Sequence, residues 1–173
     1  RTRDLEVIAK ADIVIDVGGE YDANTGRFDH HQRGGAGERD NGIPYSSFGL
    51  MWKKYGVDIC QGNQDVANAV DSGLVSKIDA IDCGHVEGIY EGISLSQTIS
   101  MFNPTWQEDS HFDSCFDEAV DFASCVLTRF IASANGGISA KTIVAKAIES
   151  AQDPRVIVLE KYTPWKRTVH ALS

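Results

Sequence analysis

An acid set inside a run of β-branched residues constrains this chain more than any other feature. Residues 11–17 read ADIVIDV, so Ile13, Val14, Ile15 and Val17 predict a buried β-strand over residues 12–17 with Asp16 among them. An ionised carboxylate in such surroundings is costly unless it is paired or bound to a cation. Gly18-Gly19 break the strand one residue past the acid. A turn-rich segment, Asp22-Ala23-Asn24-Thr25-Gly26, then returns the chain to Phe28, and Asp29-His30-His31 follow at once. Carboxylate oxygen and imidazole nitrogen, presented where strands end in loops, are donors that a divalent cation takes. The stretch 11–32 reads as a metal site.

Residues 1–10 read as a short connector with at most a helical turn, and helices are expected beyond a glycine-rich loop. Residues 33–42, RGGAGERDNG, hold four glycines and read as a flexible loop beside the site, with Arg33 placed to contact a phosphate. Residues 46–55 predict a helix capped by Ser46 or Ser47, with Leu50, Met51 and Tyr55 on its apolar edge and Gly56 at its end. Residues 64–83 carry the clearest helical stripe, through Val66, Ala69, Val70, Leu74, Ile78 and Ile81. At about 100° per residue, Asp79 falls opposite that stripe and Asp82 on its flank. Asp82 is therefore the acid expected to point toward a site at the helix end, with Asp79 as the alternative.

The second half reads differently. Residues 94–100 suggest short irregular structure before the aromatic turn Phe102-Asn103-Pro104-Thr105-Trp106. Residues 112–134 predict a helix with a broad buried face (Phe112, Phe116, Val120, Leu127, Ile131), stopped by Asn135-Gly136-Gly137. Asp113, Asp117, Glu118 and Asp121 on it read as a solvated face near a helix N-terminus. A further helix over residues 139–150, a strand over 155–159 and a last helix begun by Thr163-Pro164-Trp165 complete the expectation. Short apolar strands among helices indicate an α/β sheet domain over residues 1–103, followed by a mostly helical lobe over 104–173.

Composition narrows the function classes. With 42% hydrophobic and 24% charged residues the chain is globular, and no apolar run approaches a membrane span. Cys60, Cys83, Cys115 and Cys125 show no CxxC spacing, which points to a reduced, intracellular setting rather than a zinc site or disulfide frame. The net charge of −9 argues against a surface made for non-specific nucleic-acid binding, but not against a nuclease whose acids hold metals. Neither an HExxH pattern nor a Ser or Cys nucleophile arrangement supports peptide hydrolysis.

Asp29-His30-His31 after a short strand resembles the signature of the DHH phosphoesterase superfamily. The longer string IDVGGEYD…RFDHHQR resembles one branch of it, the MYG family of metal-dependent hydrolases. The leading RTRD, YSSFGLMWKKYG, IDAIDCG, FNPTW and PWKRTVHAL match that family in its order along nearly the whole chain. The resemblance implies a DHH-type sheet domain in which Asp16 bridges two metals and His30 ligates one. It implies that Asp29 supports His30, that His31 faces the substrate phosphate, and that Asp82, or else Asp79, is a further ligand. The family's first motif, a His-rich, Asp-bearing strand and loop, has no match in these residues. The resemblance places it before Arg1 and the family's continuation after Ser173, so the chain reads as an internal piece.

The residues alone point to Mn²⁺ or Mg²⁺, since imidazole and carboxylate without thiolate favour Mn²⁺ over zinc. The resemblance implies phosphodiester hydrolysis by two metal ions, as a 3′–5′ exonuclease on RNA or short oligonucleotides, in the nucleus or mitochondrion. Two other readings keep the same residues: a phosphatase for pyrophosphate or short dinucleotides, and a metal- or RNA-binding module without turnover.

Overall fold

The computed structural model describes residues 2–85, 93–108, 111–153 and 155–172. Part of the stretch between residue 84 and the aromatic turn therefore lies outside the described residues. The chain opens with helix α1 (Leu5–Lys10), whose N-cap Asp4 accepts from the Glu6 N–H. Three two-residue strands follow: β1 (Val14–Ile15), β2 (Tyr21–Asp22) and β3 (Arg27–Phe28). They form a mixed sheet in the order β1-β3-β2, with β3 parallel to β1 and antiparallel to β2. The α/β class is thus present, with a smaller sheet than the sequence suggests.

The strand expected over residues 12–17 is cut short at Ile15. Asp16 takes a left-handed backbone (φ 62°), and Gly18 and Gly19 continue the turn at φ 100° and 70°. Val14 is buried, whereas Ile13 and Ile15 are half exposed, so β1 buries one face rather than both. Register decides what comes next. Val14 pairs with Arg27 and Ile15 with Phe28, so the parallel strands end side by side and release Asp16 and Asp29 at the same edge. Gly26 makes this crossing possible, because a Cβ there (φ 73°) would overlap the Asp12 carbonyl oxygen.

Helix α2 (Ser47–Ile59) is capped by Ser46, whose side chain accepts from the Phe48 N–H. It does not end at Gly56, as expected from sequence. Gly56 lies inside it because the Trp52 ring fills the space a Cβ would need, with the nearest ring atom at 2.8 Å. The turn that ends α2 comes later, at Gln61 and Gly62, both at positive φ.

Helix α3 (Gln64–Val70) passes through a π-helical turn (Asp71–Val75) into α4 (Ser76–Asp82). A π turn holds one residue more than an α turn, so everything after it shifts by roughly one position, about 100°. The buried stripe accordingly runs Val66 and Val70 before the turn, steps from Leu74 to Val75 within it, and continues at Asp79 after it. This corrects the sequence expectation. Asp79 does not face away from the core; it takes the buried place that a regular helix would give Ile78.

Helix α5 (Leu95–Ser100) replaces the irregular structure expected there, and a reciprocal capping box between Ser94 and Gln97 accounts for it. Phe102, just after it, stacks near Phe122 at 5.4 Å. Helix α6 (Phe112–Glu149) runs 38 residues without a break, merging the two helices expected on either side of Asn135-Gly136-Gly137. Those three residues are exposed, while Leu127, Ile131, Ala134 and Ile138 carry one apolar stripe straight past them. Packing of that stripe outweighs a glycine cost of about 1 kcal/mol per residue. The stripe closes a core of Trp52, Cys60, Val66, Ala67, Val70 and Val75 from α2, α3 and the π turn.

The face expected to be buried at the start of α6 is not, since Phe112 and Phe116 are about two-thirds exposed (65% and 67%). Residues 155–159 form no strand. Val156 and Val158 are exposed, and Ile157 and Leu159 line a groove with Val144, Trp165 and Val169 instead of pairing with another strand. The final helix α7 (Lys166–Leu172) starts just past Thr163-Pro164-Trp165, as expected. All four cysteines are free thiols.

Candidate metal centre

The site forms where β1 and β3 end and α2 begins. Carboxyl ends of adjacent parallel strands are a recurrent place for ligands in α/β sheets, because the loops leaving them diverge. Asp16, Asp29, His30 and His31 meet here, and one donor atom from each lies within 4.8 Å of every other. Asp16 Oδ1 stands 3.7 Å from His30 Nδ1 and 3.8 Å from His31 Nδ1. The two imidazole rings lie 4.1 Å apart.

Asp29 organises the cluster. Its side chain is buried and accepts from the Gly19 N–H at 2.7 Å, the His30 N–H at 2.8 Å and His31 Nδ1 at 2.6 Å. Burial pushes its carboxyl up, but these donors, His31 first, more than reverse that and bring its pKa down to about 2. With both oxygens engaged, Asp29 acts as a brace. The short contact of His31 Nδ1 with Asp29 fixes the orientation of this half-exposed ring.

His30 is more enclosed, with its side chain 11% exposed. One ring nitrogen, Nδ1, faces Asp16 and Ser47, whose Oγ lies at 3.1 Å and whose N–H donates from 3.2 Å. The other, Nε2, faces Asp82 Oδ2 at 3.4 Å. Asp82 thus borders the cluster from the far side of the His30 ring, and its side chain is about half exposed. Arg33 is exposed on the glycine-rich loop.

Asp79, the alternative ligand, sits elsewhere. It is wholly buried, accepts from Ser46 Oγ at 2.6 Å and the Gly49 N–H at 3.0 Å, and pairs with Arg39 at 2.7 Å. Arg39 also forms a two-point contact with Asp71 through Nε and Nη2. Burial pushes the Asp79 carboxyl up, against the pull of Ser46 and Arg39. Asp79 ties the first turn of α2 to α4. The loop over residues 33–42 is consequently not free throughout, because the Arg39 side chain anchors it.

The donor set could hold a metal ion, with carboxylate and imidazole present and no thiolate in the cluster. Sequence reasoning missed Ser47 beside His30 and Arg39 beside Asp79. A serine pair at a helix start signals a cap, and only the fold shows that the second serine reaches a histidine.

A small mixed α/β sheet bearing an Asp/His cluster able to hold a metal defines the class of protein. The family model described as Uncharacterised protein family (UPF0160), MYG1_exonuc, matches residues 1–173, and the chain belongs to that family. It is similar to the MYG1 exonuclease of Bos taurus, at 32% identity over all of this chain and 53% of the relative. The MYG1 protein YER156C of Saccharomyces cerevisiae is 31% identical over 100% of this chain and 60% of its own length. The human MYG1 exonuclease is 30% identical, again over the whole chain and 54% of the relative. The chain thus spans between half and three-fifths of these curated relatives. No solved structure matches it. Among the described residues, no helix is long and apolar enough to cross a membrane.

Proposed function

We propose that this chain carries the cation-binding part of a DHH-type phosphodiesterase, acting as a 3′–5′ exonuclease on RNA. The observation that supports it most is the convergence of Asp16, Asp29, His30 and His31 within 4.8 Å at the joint end of two parallel strands. Relatives that bear the name exonuclease give the reaction class.

In this reading Asp16 and His30 hold divalent cations, with Asp82 completing the set from the other side of the His30 ring. Cations held there would supply positive charge against the phosphate and would ease the loss of a proton from the water that attacks phosphorus. Asp29 holds the His31 ring by Nδ1 and both histidine backbone N–H groups, so the site is pre-shaped before substrate arrives. His31, its ring held by Asp29, would face a non-bridging phosphate oxygen, and Arg33 would add charge from the loop.

The test is hydrolysis of 5′-labelled RNA by the intact protein with Mn²⁺ or Mg²⁺. Asp16→Ala and His30→Ala are each expected to lower turnover by about 100-fold or more. Full cation-dependent turnover in either variant sinks the proposal. Cleavage of pyrophosphate or dinucleotides with longer RNA left intact would make the protein a small-substrate phosphatase. Cation binding without hydrolysis of any of these would make it a binding module.

A further inference from the structure

Helices α6 and α7 pack together and form a groove of about 420 Å³, within the range that small ligands occupy. None of the residues of the metal centre lines it. Phe130, Ser133, Gly137 and Lys141 line it from α6, and Arg167 and Thr168 from α7. On α6 these residues recur at steps of three and four, which puts them on one face of the helix.

The charge of the groove is one-sided. Lys141 and Arg167 are both exposed, and among the described residues no acid lines the groove or pairs with either cation. This stands out in a chain whose net charge is −9. Thr168 is only 7% exposed, yet its hydroxyl has no hydrogen-bond partner among the described residues. A polar group so enclosed is costly unless something bonds to it. Phe130 keeps 38% of its surface exposed. A Cβ at Gly137 would meet nothing within 4 Å, so a poor helix former here leaves the α6 backbone open to close approach.

Cations, a free hydroxyl and an aromatic ring along one groove are what holds single-stranded nucleic acid, with phosphates on the cations and a base stacked on the ring. By the rise of a helix, Phe130 and Lys141 lie about 16 Å apart along α6. An extended strand spans that distance, whereas one phosphate group does not. We propose that the groove between α6 and α7 anchors the single-stranded RNA that the metal centre cuts. Lys141 and Arg167 hold its phosphates, Thr168 donates to a phosphate oxygen, and Phe130 stacks on a base. This rests on the nuclease reading of the protein.

The experiment measures steady-state hydrolysis by the intact protein with Mn²⁺ on two substrates. One is a labelled RNA oligonucleotide, and the other is bis(p-nitrophenyl) phosphate, which is too short to reach the groove from the metal centre. Wild type is compared with the double variant Lys141→Ala/Arg167→Ala, with Gly137→Leu, which fills the groove, and with Lys146→Ala, a control on α6 outside it. The expected result for the double variant is a KM for RNA about 10-fold higher at unchanged kcat, with turnover of the small diester unchanged. The slope of log KM against log salt should also fall by about 1.4, the value for two lost phosphate contacts on a single strand. Gly137→Leu should raise the KM for RNA without lowering the melting temperature, and Lys146→Ala should change nothing. An unchanged KM for RNA in the double variant, or an equal loss on both substrates, overturns the anchoring role while leaving the nuclease reading in place. A wild type that leaves RNA intact overturns the nuclease reading, and this inference falls with it.

Discussion

The Asp79 carboxylate fills the space that a Cβ on Gly49 would need, and it accepts the Gly49 N–H at 3.0 Å. A glycine inside α2 is therefore a packing requirement. Gly→Ala in an ordinary helix interior stabilises by about 1 kcal/mol. Gly49→Ala is expected to do the reverse and cost at least about 2 kcal/mol, since the obstructing group is a bonded, buried carboxylate. Urea denaturation checks the sign, and a gain in stability would show that Asp79 can move aside.

The two acids of the IDAID segment should separate cleanly. Asp79→Ala leaves Arg39 paired with Asp71 alone and strips Ser46 Oγ and the Gly49 N–H of their acceptor, and is expected to cost about 2–3 kcal/mol. Asp82 is half exposed, so Asp82→Ala should cost under about 1 kcal/mol while weakening Mn²⁺ binding. Denaturation and metal titration on both variants decide it. A stable Asp79→Ala that loses metal would exchange their roles.

Asp29 makes an acid-stability prediction. Its pKa of about 2 lies below the ordinary carboxylate value of 3.8, so the folded state binds the proton less readily than the unfolded chain. The stabilisation, on the order of 2 kcal/mol, is complete above about pH 4 and is lost as pH falls toward 2. Asp29→Asn should therefore flatten the acid limb of a stability–pH curve measured with chelator present. Parallel curves for wild type and variant below pH 4 would contradict this.

Helix α6 is testable at its two interior glycines. A Cβ at Gly136 or Gly137 meets nothing within 4 Å. Gly136→Ala and Gly137→Ala are each expected to stabilise by about 0.5–1 kcal/mol, raising the melting temperature. Destabilisation by both would mean that the helix breaks where the residues Asn135-Gly136-Gly137 suggest.

Those glycines show where local signals mislead. Asn-Gly-Gly is a stop signal only when the chain gains more by ending, and here Leu127, Ile131, Ala134 and Ile138 are already bound to the core on both sides. The same competition explains Gly56, kept inside α2 by the Trp52 ring, and the RVIVL run, which has strand residues but packs toward Val144. Asp79 was misread for a different reason. A stripe projected at a constant angle cannot anticipate the extra residue of the π turn, which depends on how α3 and α4 pack beneath α2.

By itself the sequence determined the local chemistry: Asp16 at the end of an apolar strand, the Asp29-His30-His31 run after Phe28, and a serine cap for α2. These are neighbours along the chain, and propensity and polarity act at that range. Tertiary structure alone decided how they meet. The parallel register of β1 and β3 set Asp16 beside Asp29, the π turn sent Asp79 inward, and the docking of α2 delivered Ser47 to the ring. Each depends on contacts between residues far apart in the chain, whose free energy exists only once the whole core has closed.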